Sequence, residues 1–220
     1  PERVCRLHQL YLDAGSDLLT TNTFGGTSFA LESHGVAGRA RELNAAGARR
    51  AREVAGDRAW VLGDIGPFGG LMEPLGETLP EAVAAAFREQ AEALLEGGAD
   101  AILVETMSDP AEATLAVQAA TLAGAGLVLA TFTFQKTARG FRTMMGTSAG
   151  DAVAAVIAAG AGMVGANCGT DLSLADYEQL TAELVAAAAG RPVIVQPNAG
   201  SPILRDGRIC LTNNAAERAL

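Results

Sequence analysis

The strongest constraint in this chain is its rhythm. Short apolar, β-branched stretches recur near residues 18, 60, 102, 128, 163 and 193. Between them lie helix patterns: Arg3 to Ala14, Arg39 to Val54, Pro80 to Glu96, Asp109 to about Leu122, Asp151 to Ala159, and Leu174 to Ala189. Strands and helices that alternate at a pitch of about 30 to 40 residues build a parallel sheet. The two candidates are a (β/α)₈ barrel and a doubly wound open sheet. No Gly-x-Gly-x-x-Gly turn follows any strand, which weakens a dinucleotide-binding open sheet and favours the barrel. A barrel of this pitch needs about eight units. Six strands are visible and the chain opens on a helix. The expectation is therefore a single α/β domain over residues 1–220, a (β/α)₈ TIM barrel. Its first strand would precede Pro1 and its eighth would follow Leu220.

Composition narrows the function classes. Hydrophobic residues make up 49% of the chain but aromatics only 5%, so Ala, Val and Leu must fill the core. A net charge of −9 argues against a nucleic-acid partner. No run approaches the ~18 apolar residues of a membrane span, so no membrane partner is expected. Three cysteines, Cys5, Cys168 and Cys210, are too few and too scattered for a disulfide framework. A reducing, cytoplasmic location is the simplest inference.

In a parallel barrel the active site lies at the C-terminal ends of the strands. Those ends read Asn22-Thr23, Asp64, Glu105-Thr106, Thr133, Asn167-Cys168 and Pro197-Asn198. Each has a purely structural explanation when taken alone. Asn22 and Asn198 could satisfy loop backbone, Asp64 could cap the turn at Gly66, and Glu105 could be half of an ion pair. Cys168 could be a small core residue. Six apolar strands that all finish in polar side chains around one thiol favour an active site. A thiol on a rigid strand end suits a zinc ligand or a nucleophile. His8, on an outer helix, and His34, in a loop, are not at strand ends and are not expected to be ligands. Cys5 falls on the apolar side of the first helix. Two long loops, Phe68 to Pro80 and Gln135 to Gly150, border the same mouth.

Five motifs occur in order at strand ends: Thr21-Asn22-Thr23-Phe24, Gly63-Asp64-Ile65-Gly66-Pro67, Glu105-Thr106-Met107, Gly165-Ala166-Asn167-Cys168 and Pro197-Asn198-Ala199-Gly200. Together they resemble the homocysteine S-methyltransferase family over about Leu7 to Gly200. The resemblance implies a zinc (β/α)₈ barrel that transfers a methyl group to the homocysteine thiol, giving methionine. Zinc would be held by three thiolates, of which Cys168 matches one. The other two form a Cys-Cys pair expected beyond Leu220. Cys210 has the wrong spacing for it. Asn198 matches a weak oxygen ligand, and Glu105 a carboxylate that holds the substrate amino group. Asn22, Thr23 and Asp64 are expected to line the pocket. No catalytic residue is expected beyond the zinc site, and these residues alone are expected to be inactive. The implied partners are homocysteine and a methyl donor: a methyl-folate or cobalamin module, betaine, or S-methylmethionine. The alternatives are a zinc-free, non-catalytic barrel module that binds a small amino acid or a partner, and a barrel enzyme with a cysteine nucleophile. The latter needs a base near Cys168.

Overall fold

Six of the apolar stretches pair in the order in which they occur along the chain. In the computed structural model, which describes residues 2–169 and 172–198 and the backbone of 203–205 and 208–210, these are β1 (Leu18–Thr20), β2 (Trp60–Ile65), β3 (Ala101–Met107), β4 (Val128–Phe132), β7 (Met163–Cys168) and β8 (Val193–Pro197). All neighbours are parallel, in the order β1-β2-β3-β4-β7-β8. A doubly wound sheet reverses its strand order at a switch point. This one never does, so it curls as part of a barrel wall. Helices α1 (Glu2–Asp13), α2 (Ser28–Glu32), α3 (Ala40–Ala55), α4 (Pro80–Glu96), α5 (Pro110–Leu122), α6 (Ala149–Ala159) and α7 (Leu174–Ala187) lie between the strands, with a 3₁₀ turn at Ala37–Arg39.

The strand period of two splits the core into two layers. Leu62, Ala101, Leu103 and Leu129 pack with Met163 and Ile194 on the face away from the helices, which is the barrel interior. Ile65, Ile102, Val104 and Ala130 point the other way, into a larger cluster with Phe87, Leu94, Val117 and Val156 of the helices. Few aromatics are needed because small residues let the elements close up. A Cβ on Gly165 would lie 1.8 Å from the Ile194 carbonyl oxygen across the β7–β8 pair. A Cβ on Gly97, just after α4, would lie 2.6 Å from the Ala48 Cβ of α3.

Local signals place the helix starts. Asp109 accepts from the Ala111 N–H at 2.8 Å, with Pro110 in the first turn of α5. Ser173 and Asp176 form a reciprocal capping box on α7. Two elements depart from the sequence reading. The stretch read as a polar loop from Gln135 contains a hairpin, β5 (Gln135–Thr137) with β6 (Gly140–Arg142), pinned to α7 by an ion pair between Lys136 and Asp176. Strands of three residues carry too little alternation to announce themselves. Helix α2 is likewise too short for a periodic signal. Strands β9 (Ile203–Arg205) and β10 (Arg208–Cys210) pair antiparallel, as expected of a hairpin around Asp206-Gly207. The helix expected after Thr212 lies outside the described residues, as does the side chain of Cys210. Among the described residues no helix is long and apolar enough to cross a membrane.

Candidate active site at the strand ends

The polar residues toward the ends of β3, β4 and β7 meet through one side chain, Asn167. Its Oδ1 accepts from the Thr106 N–H and from the Thr131 hydroxyl, both at 2.9 Å. Its Nδ2 donates to Thr106 Oγ1 at 2.6 Å and more weakly to Glu105 Oε2 at 3.4 Å. Cys168 Sγ lies 3.6 Å from the same Nδ2. A buried amide with both ends satisfied is rigid, so Asn167 fixes β3, β4 and β7 in one geometry. The two residues that follow these contacts are held in the left-handed region, Thr106 at φ 60° and Cys168 at φ 54°. For a β-branched threonine that conformation is strained, and strain of this kind collects at functional sites. At Cys168 it turns the half-buried thiol out of the strict strand alternation.

Acidity in this cluster runs against intuition. Burial pushes the Cys168 thiol above its ordinary value, and the nearby Glu105 carboxylate adds to the rise; hydrogen bonds from Thr106 and Asn167 oppose it. The sulfur is therefore a neutral thiol until a cation offsets that environment. Asp64 is raised well above the usual carboxylate range, by burial first and by Glu105 second. Glu105 is raised by burial, with the Asp64 contact pulling it back.

Asn198 sits close to this cluster. Its Nδ2 donates to the Gly169 carbonyl at 3.1 Å. Tyr177 of α7 donates its hydroxyl to the Cys168 carbonyl and also meets the Asn198 backbone, so one phenol clamps the ends of β7 and β8. Asn22 is exposed beside β1 and lines two cavities, of about 460 and 440 Å³. Thr23 is buried, and its hydroxyl donates to the Asp64 carbonyl at 2.8 Å. The structure thus brings Asp64, Glu105, Cys168 and Asn198 to one mouth. It sets Asn22 at the rim and Thr23 within the wall. The organising roles of Asn167, Thr131 and Tyr177 escaped the sequence reading. Asn167 stood in a quoted motif beside Cys168, but only the contacts across three strands reveal what it does. His8 is buried on α1, against the β1 side of the sheet, and does not reach Cys168.

As a metal centre the described residues are incomplete. No three His, Cys, Asp or Glu side chains among them converge on a common point. Cys168 and Asn198 offer one thiol and one amide, two ligands short of a closed tetrahedral set.

Comparison with known proteins agrees with this architecture. The family model described as homocysteine S-methyltransferase matches residues 1–219. The methionine synthases of Mycobacterium leprae and Mycobacterium tuberculosis are each 36% identical over 215 residues, which is 93% of this chain. The chain spans only 17% of the length of each of these relatives. Among solved structures, the homocysteine methyltransferase MmuM from Escherichia coli superposes with a TM-score of 0.76 in its metallated form, at 22% identity, over 91% of this chain and 73% of that one. Its apo form gives 0.70 at 21% identity. At such identities the likeness is one of fold, and it matches the curled parallel sheet described above. The chain belongs to the homocysteine S-methyltransferase family.

Proposed function

We propose that this chain forms the homocysteine-binding part of an enzyme that methylates the homocysteine thiol to give methionine. The observation that carries the reading is the joining of a carboxylate and a thiol at one mouth through Asn167. An amino-acid thiol has an ammonium at one end and sulfur at the other. Glu105 suits the ammonium by a charge-assisted hydrogen bond. Cys168, whose sulfur lies 3.6 Å from the Asn167 Nδ2 that also meets Glu105, marks where the sulfur belongs. Asn22 borders the pocket, and Asp64 and Thr23 hold the wall behind it. In the reaction the substrate S–H loses its proton to solvent. The sulfur then forms a bond to the donor's methyl carbon, and the electron pair of the breaking bond leaves with the donor.

Zinc dependence is the finer part of the proposal. Its support is the raised pKa of the buried Cys168 thiol, which keeps the sulfur from acting as an anion without a cation nearby. Cys168 and Asn198 would supply two positions, and the remaining ligands would come from outside the described residues. Such a metal would supply a stabilised thiolate at neutral pH. The same raised value disfavours a cysteine nucleophile, because neither histidine is placed to serve Cys168 as a base. Methyl-folate or cobalamin modules, betaine and S-methylmethionine all remain candidate donors. Cytoplasmic location belongs to the same proposal.

The test uses the full-length protein. Wild type should bind about one zinc per chain, and Cys168→Ser should lose it together with activity. Glu105→Gln should keep the zinc but raise the homocysteine KM by at least about tenfold, the loss of one charge-assisted bond. Zinc retained by Cys168→Ser, or absent from wild type, would favour the non-catalytic binding module.

A further inference from the structure

The inner mouth contains two carboxyl groups where one would suffice to bind an ammonium. Asp64 near the end of β2 and Glu105 on β3 stand on adjacent parallel strands with their side chains in hydrogen-bonding contact. Asp64 is 4% exposed, and its Oδ1 is buried with no donor from the rest of the described protein. Neither carboxyl belongs to any of the ion pairs among the described residues. Two touching carboxyls with no cation cannot both be ionised; one proton between them converts a repulsion into a hydrogen bond. The more buried partner keeps the proton, since burial penalises its charged form more. Glu105 is half-buried and opens toward Asn167 and the thiol, so it carries the charge.

The backbone around Asp64 is built to hold it still. Thr21 Oγ1 accepts from the Asp64 N–H at 2.9 Å, and Thr23 donates to the Asp64 carbonyl. The Thr21 and Thr23 hydroxyls are 2.6 Å apart. With the Thr23 proton already given to Asp64, the Thr21 hydroxyl donates to Thr23. Asp64 therefore presents a rigid acid to Glu105 from one side, and Asn167 meets Glu105 from the other.

We propose that Asp64 is a positioning residue: as a neutral acid it donates a hydrogen bond to the Glu105 carboxylate and leaves the pair with the single negative charge that one substrate ammonium neutralises. This rests on the reading of Glu105 as the ammonium site. It assigns Asp64 a place behind the pocket wall rather than a contact with substrate. It also explains why the second acid does not load the thiol with a further negative neighbour.

The test again uses the full-length protein. Asp64→Ala should raise the homocysteine KM about tenfold with kcat nearly unchanged, because Glu105 loses its support. Asp64→Asn keeps a neutral donor of the same shape and should restore KM to within about threefold of wild type. The infrared difference spectrum of substrate-free wild type minus Asp64→Asn at pH 7 should contain the C=O stretch of a protonated carboxyl. Absence of that band, or Asp64→Asn as damaging as Asp64→Ala, overturns the proposal. Should Asp64→Ala fail to fold, the Asp64→Asn kinetics and the band decide alone. A homocysteine KM indifferent to Glu105→Gln instead overturns the ammonium reading, and the band still reports on the pair.

Discussion

Two buried polar clusters meet at Asp64, and they are built on opposite rules. Behind β1 and β2, Gln90 Nε2 donates to the Thr23 carbonyl at 2.8 Å and to Asn44 Oδ1 at 3.1 Å, while Asn44 Nδ2 donates to the Gly26 carbonyl at 2.7 Å. These amides and hydroxyls are neutral and are spent largely on backbone oxygens. At the mouth, the side chains of Asp64, Glu105, Thr106, Asn167 and Cys168 contact one another, with Asn167 also taking the Thr106 N–H and the Thr131 hydroxyl. They include two carboxyls in contact, an acidity-suppressed thiol and two strained residues. The first cluster satisfies loop backbone that a barrel edge would otherwise strand. The second leaves tension that a cationic ligand would relieve. Burial and polarity alone therefore do not mark a functional site; what the polar groups are bonded to does.

The sharpest way to break this comparison is to treat Gln90 as though it were functional. Gln90→Leu removes the donor from buried oxygens of Thr23 and Asn44, and each stranded acceptor costs ~1–3 kcal/mol. The expected loss is about 3 kcal/mol in urea unfolding, with the homocysteine KM of the remaining folded enzyme within about twofold of wild type. A KM raised as far as by Glu105→Gln would erase the distinction between the clusters.

A buried carboxyl away from both clusters tests whether acid burial itself is the signature. Glu112 of α5 is 7% exposed and accepts from the Phe68 N–H at 2.7 Å. Burial pushes it up to about 7, against the pull of the Phe68 N–H, and the charge of Asp109 adds to the rise. Its folded value thus lies above the unfolded one near 4.5, and the protonated form is the one the fold prefers. The stability it contributes is complete below pH 4.5 and is lost as pH climbs to about 7. Glu112→Gln keeps the acceptor for Phe68 without a charge. It should match wild type at pH 4 and exceed it by up to about 3 kcal/mol at pH 8. Urea midpoints at pH 4, 6 and 8 check this; equal midpoints at pH 8 would refute it.

The parts of the molecule legible in the sequence are those governed by period and by residue type. The six parallel strands followed from apolar, β-branched runs bounded by Gly and Pro. Cys168 and Glu105 stood out because a thiol and a carboxylate at the ends of apolar strands have few uses. What stayed hidden depends on distance across the chain. Asn22 and Thr23 are neighbours of similar polarity, yet one is exposed and the other is bonded to Asp64, 41 residues away. Asn167 joins three strands, and no local pattern encodes that. The β5–β6 hairpin escaped because its strands have three residues each and its anchor, Asp176, lies 40 residues downstream of Lys136.

The finest test concerns the strain at the mouth. Thr106 sits at φ 60°, a region that glycine enters freely. Thr106→Gly should release about 1–2 kcal/mol of backbone strain. Against this, it removes the hydroxyl that accepts from Asn167 Nδ2 at 2.6 Å, worth about 1 kcal/mol, and adds glycine's unfolded-state entropy. The terms nearly cancel, so unfolding should shift by less than about 1 kcal/mol. Function should not cancel. Asn167 Oδ1 keeps its two donors, but with its strongest acceptor gone Nδ2 retains only the weaker contacts to Glu105 and Cys168 and is held less firmly beneath them. The homocysteine KM should rise several-fold while stability barely moves, the reverse of Gln90→Leu. A Thr106→Gly enzyme with wild-type KM and a gain of ~2 kcal/mol would show that this strain serves no site.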